Sequence, residues 1–296
     1  MEKSCMIKTY IYDVSGDWPG NVFLAVGKTN ILFDAGLAFC AERMTEKIAE
    51  VLHGRTLDYV FLTHSHFDHV SGIPQLRKRW PKVKVFIAPH GKEILDKPSA
   101  RKRMRTLNEA AAQGCGISGL HYRDEDLYAD DVLADGQVFL LDEWKITAID
   151  TPGHTRDSFS FLLEREGCTQ NILLCSETAG AYAKGEFISP CFLLGYHMSV
   201  ESMKKMQSVG ADLLILAHTG FAPEEDADKS WERYFADQER AYKKIRAEAR
   251  RNIPTEDKIN HLAKEFWPEV LQKYQPYPAY FVNMKSMLER AGEEDE

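Results

Sequence analysis

The chain has 296 residues, of which 44% are hydrophobic and 28% charged, enough for one large domain or a domain with an extension. A formal net charge of −8 argues against a nonspecific nucleic-acid binder. No apolar run approaches the ~20 residues that cross a bilayer, and residues 1–8 lack the apolar core of a leader, so a cytoplasmic protein is expected. The cysteines, Cys5, Cys40, Cys115, Cys168, Cys175 and Cys191, form no Cys-x-x-Cys pair. Reduced, partly buried thiols are therefore expected, not a thiolate metal site.

In chain order, residues 6–12, 22–26 and 30–33 read as short strands, with a tight turn at Gly27-Lys28-Thr29-Asn30. Asp34 ends the third strand in the turn Asp34-Ala35-Gly36. Met44, Ile48, Val51 and Leu52 share one face of a predicted helix over 41–53. The apolar run Tyr59-Val60-Phe61-Leu62 is the next strand, and Pro74 opens an amphipathic stretch beyond it.

Between them lies Thr63-His64-Ser65-His66-Phe67-Asp68-His69. His64, His66, Asp68 and His69 are four metal-capable groups in six positions. Imidazole suits zinc, iron and other borderline ions, and carboxylate widens the choice. A loop at a strand's carboxyl end can turn such side chains to one point. One open catalytic ion takes about three protein ligands, so the spacing suggests two ions sharing the loop.

Downstream, 83–87 is a strand, and 91–126 reads as an insertion carrying Lys92, Lys97, Arg101, Lys102, Arg103 and Arg105. A solvated basic helix face is the plain reading; binding the phosphates of a carrier such as coenzyme A is the other. The loop 114–119 could act as a lid. Strands at 137–140, 144–149, 158–163 and 171–174 surround the turn Asp150-Thr151-Pro152-Gly153-His154 and lead to Glu177. The Gly- and aromatic-rich stretch 178–198 is expected to wall a substrate pocket through Tyr182, Tyr196 and His197. A helix over 198–209 precedes a strand at 213–217 that delivers His218. Beyond Phe221 the pattern is helical, with Trp231, Tyr234, Tyr242, Ile245, Ile259, Leu262 and Phe266 at helical spacing.

His-x-His-x-Asp-His at 64–69, then His154, Glu177 and His218, each closing an apolar run, together resemble the metallo-β-lactamase superfamily. The resemblance implies an α+β fold, a four-layer αββα sandwich over 1–220 with a C-terminal helical extension over 221–296. It implies two divalent ions, zinc first, with iron or manganese as alternatives. His64, His66 and His154 would hold one ion, and Asp68, His69 and His218 the other. Asp34 would orient a ligating histidine. Glu177 stands where the family usually has a bridging Asp, and its extra methylene puts full occupancy of the second ion in question. The implied reaction is hydrolysis by a metal-bound hydroxide, with Asp68 as the catalytic carboxylate. The layout is similar to thioesterase-like members of the glyoxalase II and quinolone-signal response kind. A small thioester, ester or lactone, free or on a thioester carrier, is the expected substrate. Phosphodiester hydrolysis, a mononuclear iron enzyme like the persulfide dioxygenases, and a metal-containing regulatory protein are the alternatives. Homo-oligomerisation is left open.

Overall fold

A computed structural model describes residues 5–16, 21–183, 187–222, 227–272 and 275–294. The first sheet is built from β1 (Ile11–Asp13), β2 (Phe23–Ala25), β3 (Ile31–Phe33), β4 (Tyr59–Phe61), β5 (Lys84–Ile87) and β6 (Asp131–Val132), in that spatial order. Its β1–β2–β3 end is antiparallel and its β3–β4–β5–β6 end parallel. The second sheet comprises β7 (Val138–Leu141), β8 (Trp144–Asp150), β9 (Phe159–Arg165) and β10 (Ile172–Leu174). A separate hairpin, β11 (Ala181–Ala183) with β12 (Phe187–Ser189), follows, and β13 (Leu213–Leu216) and β14 (Gly220–Phe221) complete the sheet in the order β14-β13-β10-β9-β8-β7.

The alternation of strand side chains sets the layers. Ile31, Phe33 and Phe61 of the first sheet meet Ile146, Phe161, Ile172 and Ile215 of the second in one buried core. The intervening Leu32, Val60 and Val85 face the other way, onto α1 (Ala41–Leu52) and α3 (Ile73–Arg79). Between those helices runs the single turn α2 (Phe67–Val70), and beyond them α4 (Pro89–Leu95) and α5 (Pro98–Gly114). On the far side Leu173, Leu214 and Leu216 pack with Met203 and Met206 of α6 (Tyr196–Ser208) and with Trp231 and Tyr234 of α7 (Ala227–Ala249). The sandwich is thus helix, sheet, sheet, helix. The C-terminal helices α7, α8 (Thr255–Phe266), α9 (Glu269–Gln272) and α10 (Tyr277–Glu293) share a further core around Ile245, Ile259, Phe266 and Met284. Among the described residues no helix is long and apolar enough to cross a membrane.

Two expectations are corrected. Residues 7–10 form a 3-10 turn, so the first strand starts only at Ile11. Cys5 and Cys168, 163 positions apart in sequence, are joined in a disulfide, not held as free thiols. The chain brings residue 5 alongside the turn after β9, a meeting that no local spacing encodes. Cys175 and Cys191 are buried thiols, as expected, and Cys40 is buried too, while the free Cys115 is exposed.

In the insertion, Lys92 pairs with Asp96, Arg105 with Asp124, and Arg101 donates to the Leu95 carbonyl. Lys97, Lys102 and Arg103 are exposed. These three side chains lie on a solvated helix face.

Candidate metal centre

The centre stands at the carboxyl ends of β4, β8, β10 and β13. β4, β10 and β13 are apolar and largely buried, β8 buries Trp144, Ile146, Ala148 and Ile149, and each strand releases its chain into a short polar turn. Three backbone positions there are unusual. Asp34 and His218 adopt left-handed conformations at φ 61° and 63°, conformations that non-glycine residues take mainly where the surroundings impose them. Gly153 lies at φ 150°, and a Cβ there would stand 2.5 Å from both Ser199 Oγ and Thr178 Cγ2, so the His154 turn passes through a gap that only glycine fits. His66 is extended just before the α2 turn that presents Asp68 and His69.

Two donor groups result. The ligand atoms of His64, His66 and His154 lie within 4.8 Å of one another, and so do those of Asp68, His69, Glu177 and His218. His154 Nε2 is 3.0 Å from His66 Nδ1. Asp68 Oδ2 lies 3.6 Å from His69 Nε2 and 3.8 Å from His218 Nε2. Glu177 touches both groups: Oε1 is 2.7 Å from His69 Nε2 and His218 Nε2, and Oε2 is 3.3 Å from His154 Nε2.

The partners behind the rings fix which nitrogen faces inward. Asp34 Oδ2 accepts from His69 Nδ1 at 2.8 Å, leaving Nε2 for the centre. The same carboxylate accepts the Thr63 N–H at 2.7 Å and the Thr63 hydroxyl, so it anchors the start of the loop as well. His154 Nδ1 lies 3.3 Å from the Cys191 carbonyl, to which it donates. His64 Nδ1 lies 3.0 Å from the Thr63 hydroxyl. These are the outer contacts that metal-ligating imidazoles make.

Electrostatics divide the histidines. Burial, with His69 and His66 alongside, pushes His64 well below its ordinary value. Burial drives His154 down to about 4, although Glu177 opposes it. Both are therefore neutral donors at pH 7. Burial also works against a charged His69 and a charged His218, but the carboxylates win: Asp34 and Asp68 raise the former, Glu177 and Asp68 the latter. Glu177 is held well below the carboxylate range because His218 and His154 outweigh its burial.

These residues fit divalent ions. His64 Nε2 is buried among polar groups yet has no hydrogen-bond partner, which is costly unless something electropositive takes its lone pair. His154 Nε2, whose ring donates through Nδ1 to the Cys191 carbonyl, lies 3.0 Å from His66 Nδ1 beside it. Around Glu177, proton-holding imidazoles occupy the positions where a cation would replace the protons.

Every metal-ligand residue expected from the sequence falls in these two groups, and Asp34 reaches His69. Of the three expected pocket-wall residues, Tyr196 and His197 are not in these groups. The side chain of Tyr182 lies outside the described residues. Tyr196 stacks on Tyr242 of α7 at 4.0 Å and edges against Phe192. His197 is exposed, with its N–H 3.4 Å from Glu294 Oε1. Sequence reading missed Thr63, Asp157 and Cys191. Asp157 accepts the Ser65 N–H at 2.8 Å, and the Cys191 sulfur lies within 4.8 Å of the ligand atoms of His154 and Glu177. Thr63 and Asp157 adjoin motif residues, which is a faint signal; Cys191 has none.

The metallo-β-lactamase superfamily model matches residues 15–218, and this chain belongs to that superfamily. It is 28% identical over 200 residues to the metallo-β-lactamase fold-containing protein ST1585 of Sulfurisphaera tokodaii, covering 65% of this chain and 69% of that one. The crystal structure of ST1585 superposes with a TM-score of 0.62 at 22% identity, over 94% of this chain and 98% of that chain. An atrochrysone carboxyl ACP thioesterase of Aspergillus terreus is 26% identical over 197 residues, 66% of this chain. That match spans 47% of the fungal protein, about half its length.

Proposed function

We propose that this chain is a binuclear metal-dependent hydrolase acting on a thioester. The observation that carries the proposal is the position of Glu177. One carboxylate oxygen lies 2.7 Å from two histidines of one group, and the other 3.3 Å from a histidine of the next. The longer side chain thus reaches both groups, which favours a bridging role over a disabled second site. His64, His66 and His154 would hold one ion; Asp68, His69 and His218, with Glu177 spanning, would hold the other. Zinc is the first choice for a set dominated by imidazole, with iron and manganese next.

Bound there, divalent ions lower the pKa of water toward ~7 and polarise the acyl carbonyl. The chain's own residues do the rest. Thr63, Asp34 and the Cys191 carbonyl fix the rings so that only the inward nitrogens are offered. Asp68 is half-buried, with its side chain 23% exposed. It is the carboxylate placed to take a proton from the attacking water and return it to the leaving thiolate. Burial of His64, His69 and His154 keeps bulk water from competing for the donor positions.

The thioester preference rests on the fungal relative's being named an ACP thioesterase. It follows that a free or carrier-bound acyl thioester is the first substrate to try. Tyr182, Tyr196 and His197 are assigned no step. The test is hydrolysis of a panel of acyl thioesters, lactones and phosphodiesters by the zinc-loaded protein and its Asp68→Ala variant. Thioester turnover that falls by about 10²-fold or more in the variant is expected. Equal turnover by both proteins, or turnover of phosphodiesters alone, would overturn the reading.

A further inference from the structure

Asp157 is a carboxylate that the chemistry above leaves unused. Its residue is 2% exposed, and among the described residues no Lys, Arg or His pairs with it. A buried carboxylate without a cation is costly, so its retained contact is informative. Oδ2 accepts the N–H of Ser65 at 2.8 Å. Ser65 stands between His64 and His66, two ligands of one group, and Asp157 is three residues beyond His154, the third ligand of that group.

Two elements hold this contact in place. The neighbouring Phe159 N–H donates to the Thr63 carbonyl at 2.7 Å, so the two loops run side by side. On the outer side Gly91, in α4, leaves the space the carboxylate occupies. A Cβ at Gly91 would come within 2.7 Å of Asp157 Oδ2 and 2.6 Å of Ile87 Cδ1. Alanine is the better helix former by about 1 kcal/mol, so glycine there works against α4 and for the carboxylate.

We infer that Asp157 is a positioning residue: through the Ser65 N–H it locks the loop bearing His64 and His66 to the loop bearing His154, and so sets the affinity of the three-histidine group for its ion. The inference rests on the proposed metal centre. It assigns Asp157 no contact with substrate. Supporting groups of this sort change metal affinity by about 10–100-fold when removed.

The experiment is a zinc titration against a chromophoric chelator, with stoichiometry and both dissociation constants read for the wild type and for Asp157→Ala, Asp157→Asn and Gly91→Ala. Asparagine keeps an acceptor of the same shape. Asp157→Ala is expected to weaken one of the two ions by about 10–100-fold and leave the other nearly unchanged, with unaltered far-ultraviolet circular dichroism. Asp157→Asn is expected to restore most of that loss. Gly91→Ala, which displaces the carboxylate from outside the centre, is expected to weaken the same ion, and it serves if Asp157→Ala does not fold. Wild-type affinity in both Asp157→Ala and Gly91→Ala would overturn the inference. So would an asparagine variant as weak as the alanine one, since charge and not the hydrogen bond would then be what counts. A wild type that binds no zinc would instead defeat the proposed centre itself.

Discussion

Glu177 is the residue on which the two donor groups meet, and its neighbours explain why a carboxylate can sit there almost fully buried. Its residue is 6% exposed, and three imidazole nitrogens lie within 3.3 Å of its oxygens. Replacing it with alanine removes the span between the groups. The proposed Asp68–His69–His218 ion should then be lost first, taking metal content from about two per chain toward one; elemental analysis after gel filtration reads this directly. His66→Ala is expected to abolish turnover with little change in melting temperature, because His66 is only half-buried and its loop is anchored independently by Asp34 and Asp157. Residual activity within threefold of wild type would show that His66 does not serve the centre.

The two donor groups were legible because their residues close apolar runs, a pattern that needs only the strand and its turn. Their supports were not. Asp34 could be assigned only by resemblance, and its double hold on Thr63 and His69 emerges from three-dimensional distances. Asp157 and Cys191 reach the centre through loops whose relative placement no spacing rule supplies. Tyr196, expected as pocket wall, has its ring stacked on Tyr242 of α7, a contact that the sequence pattern does not reveal.

At the scale of elements, α5 lies across the short α2 turn that presents Asp68 and His69. Asn108 makes that junction. It is fully buried, accepts the Ala38 N–H at 2.9 Å and donates to Ser71 Oγ at 2.8 Å. Asn108→Ala leaves both partners unsatisfied, so a loss of about 1–3 kcal/mol is expected in urea unfolding. A neutral result would mean that α5 contributes no anchoring there.

Asp130 joins β5 to α3. Burial opposes its ionisation, but the Val85 N–H and the Arg77 guanidinium hold its carboxyl below the usual range. A carboxylate whose pKa is depressed by folding adds stability above its unfolded value, about 3.9, and loses it as pH falls through the folded value. Asp130→Asn should therefore narrow the stability difference from wild type as pH drops from 7 through that window. A gap that stays constant with pH would exclude this linkage.

Most strands and helices of the sandwich were readable from period-two and helical patterns, but the two-residue edge strands β6 and β14 are too short to show a period. The first strand failed because residues 7–10 coil into a turn before entering the sheet, and a short apolar run does not distinguish the two.

At the scale of the molecule, the described residues form four buried cores, and α7 belongs to two of them. Trp231 and Tyr234 pack on the second sheet, while Tyr242 and Ile245 pack with α8 and α10. Trp231 is 1% exposed, so Trp231→Ala is expected to cost about 3–5 kcal/mol and to lower a single unfolding transition, since one helix ties both cores together. Two separated transitions would show that the helical segment melts independently. The sequence predicts that the C-terminal helices pack, but not onto which face, because an amphipathic stripe names no partner. The disulfide from Cys5 to Cys168 is a whole-molecule feature in the same sense, since it depends on where the two sheets bring distant segments together.

The central proposal is a two-ion centre spanned by Glu177, and elemental analysis of metal per chain, on protein purified without chelator and after zinc reconstitution, tests it most directly. About two divalent ions per chain are expected. A single ion per chain after reconstitution would contradict it, and a single iron would turn the chemistry from hydrolysis toward oxygen-dependent reactions.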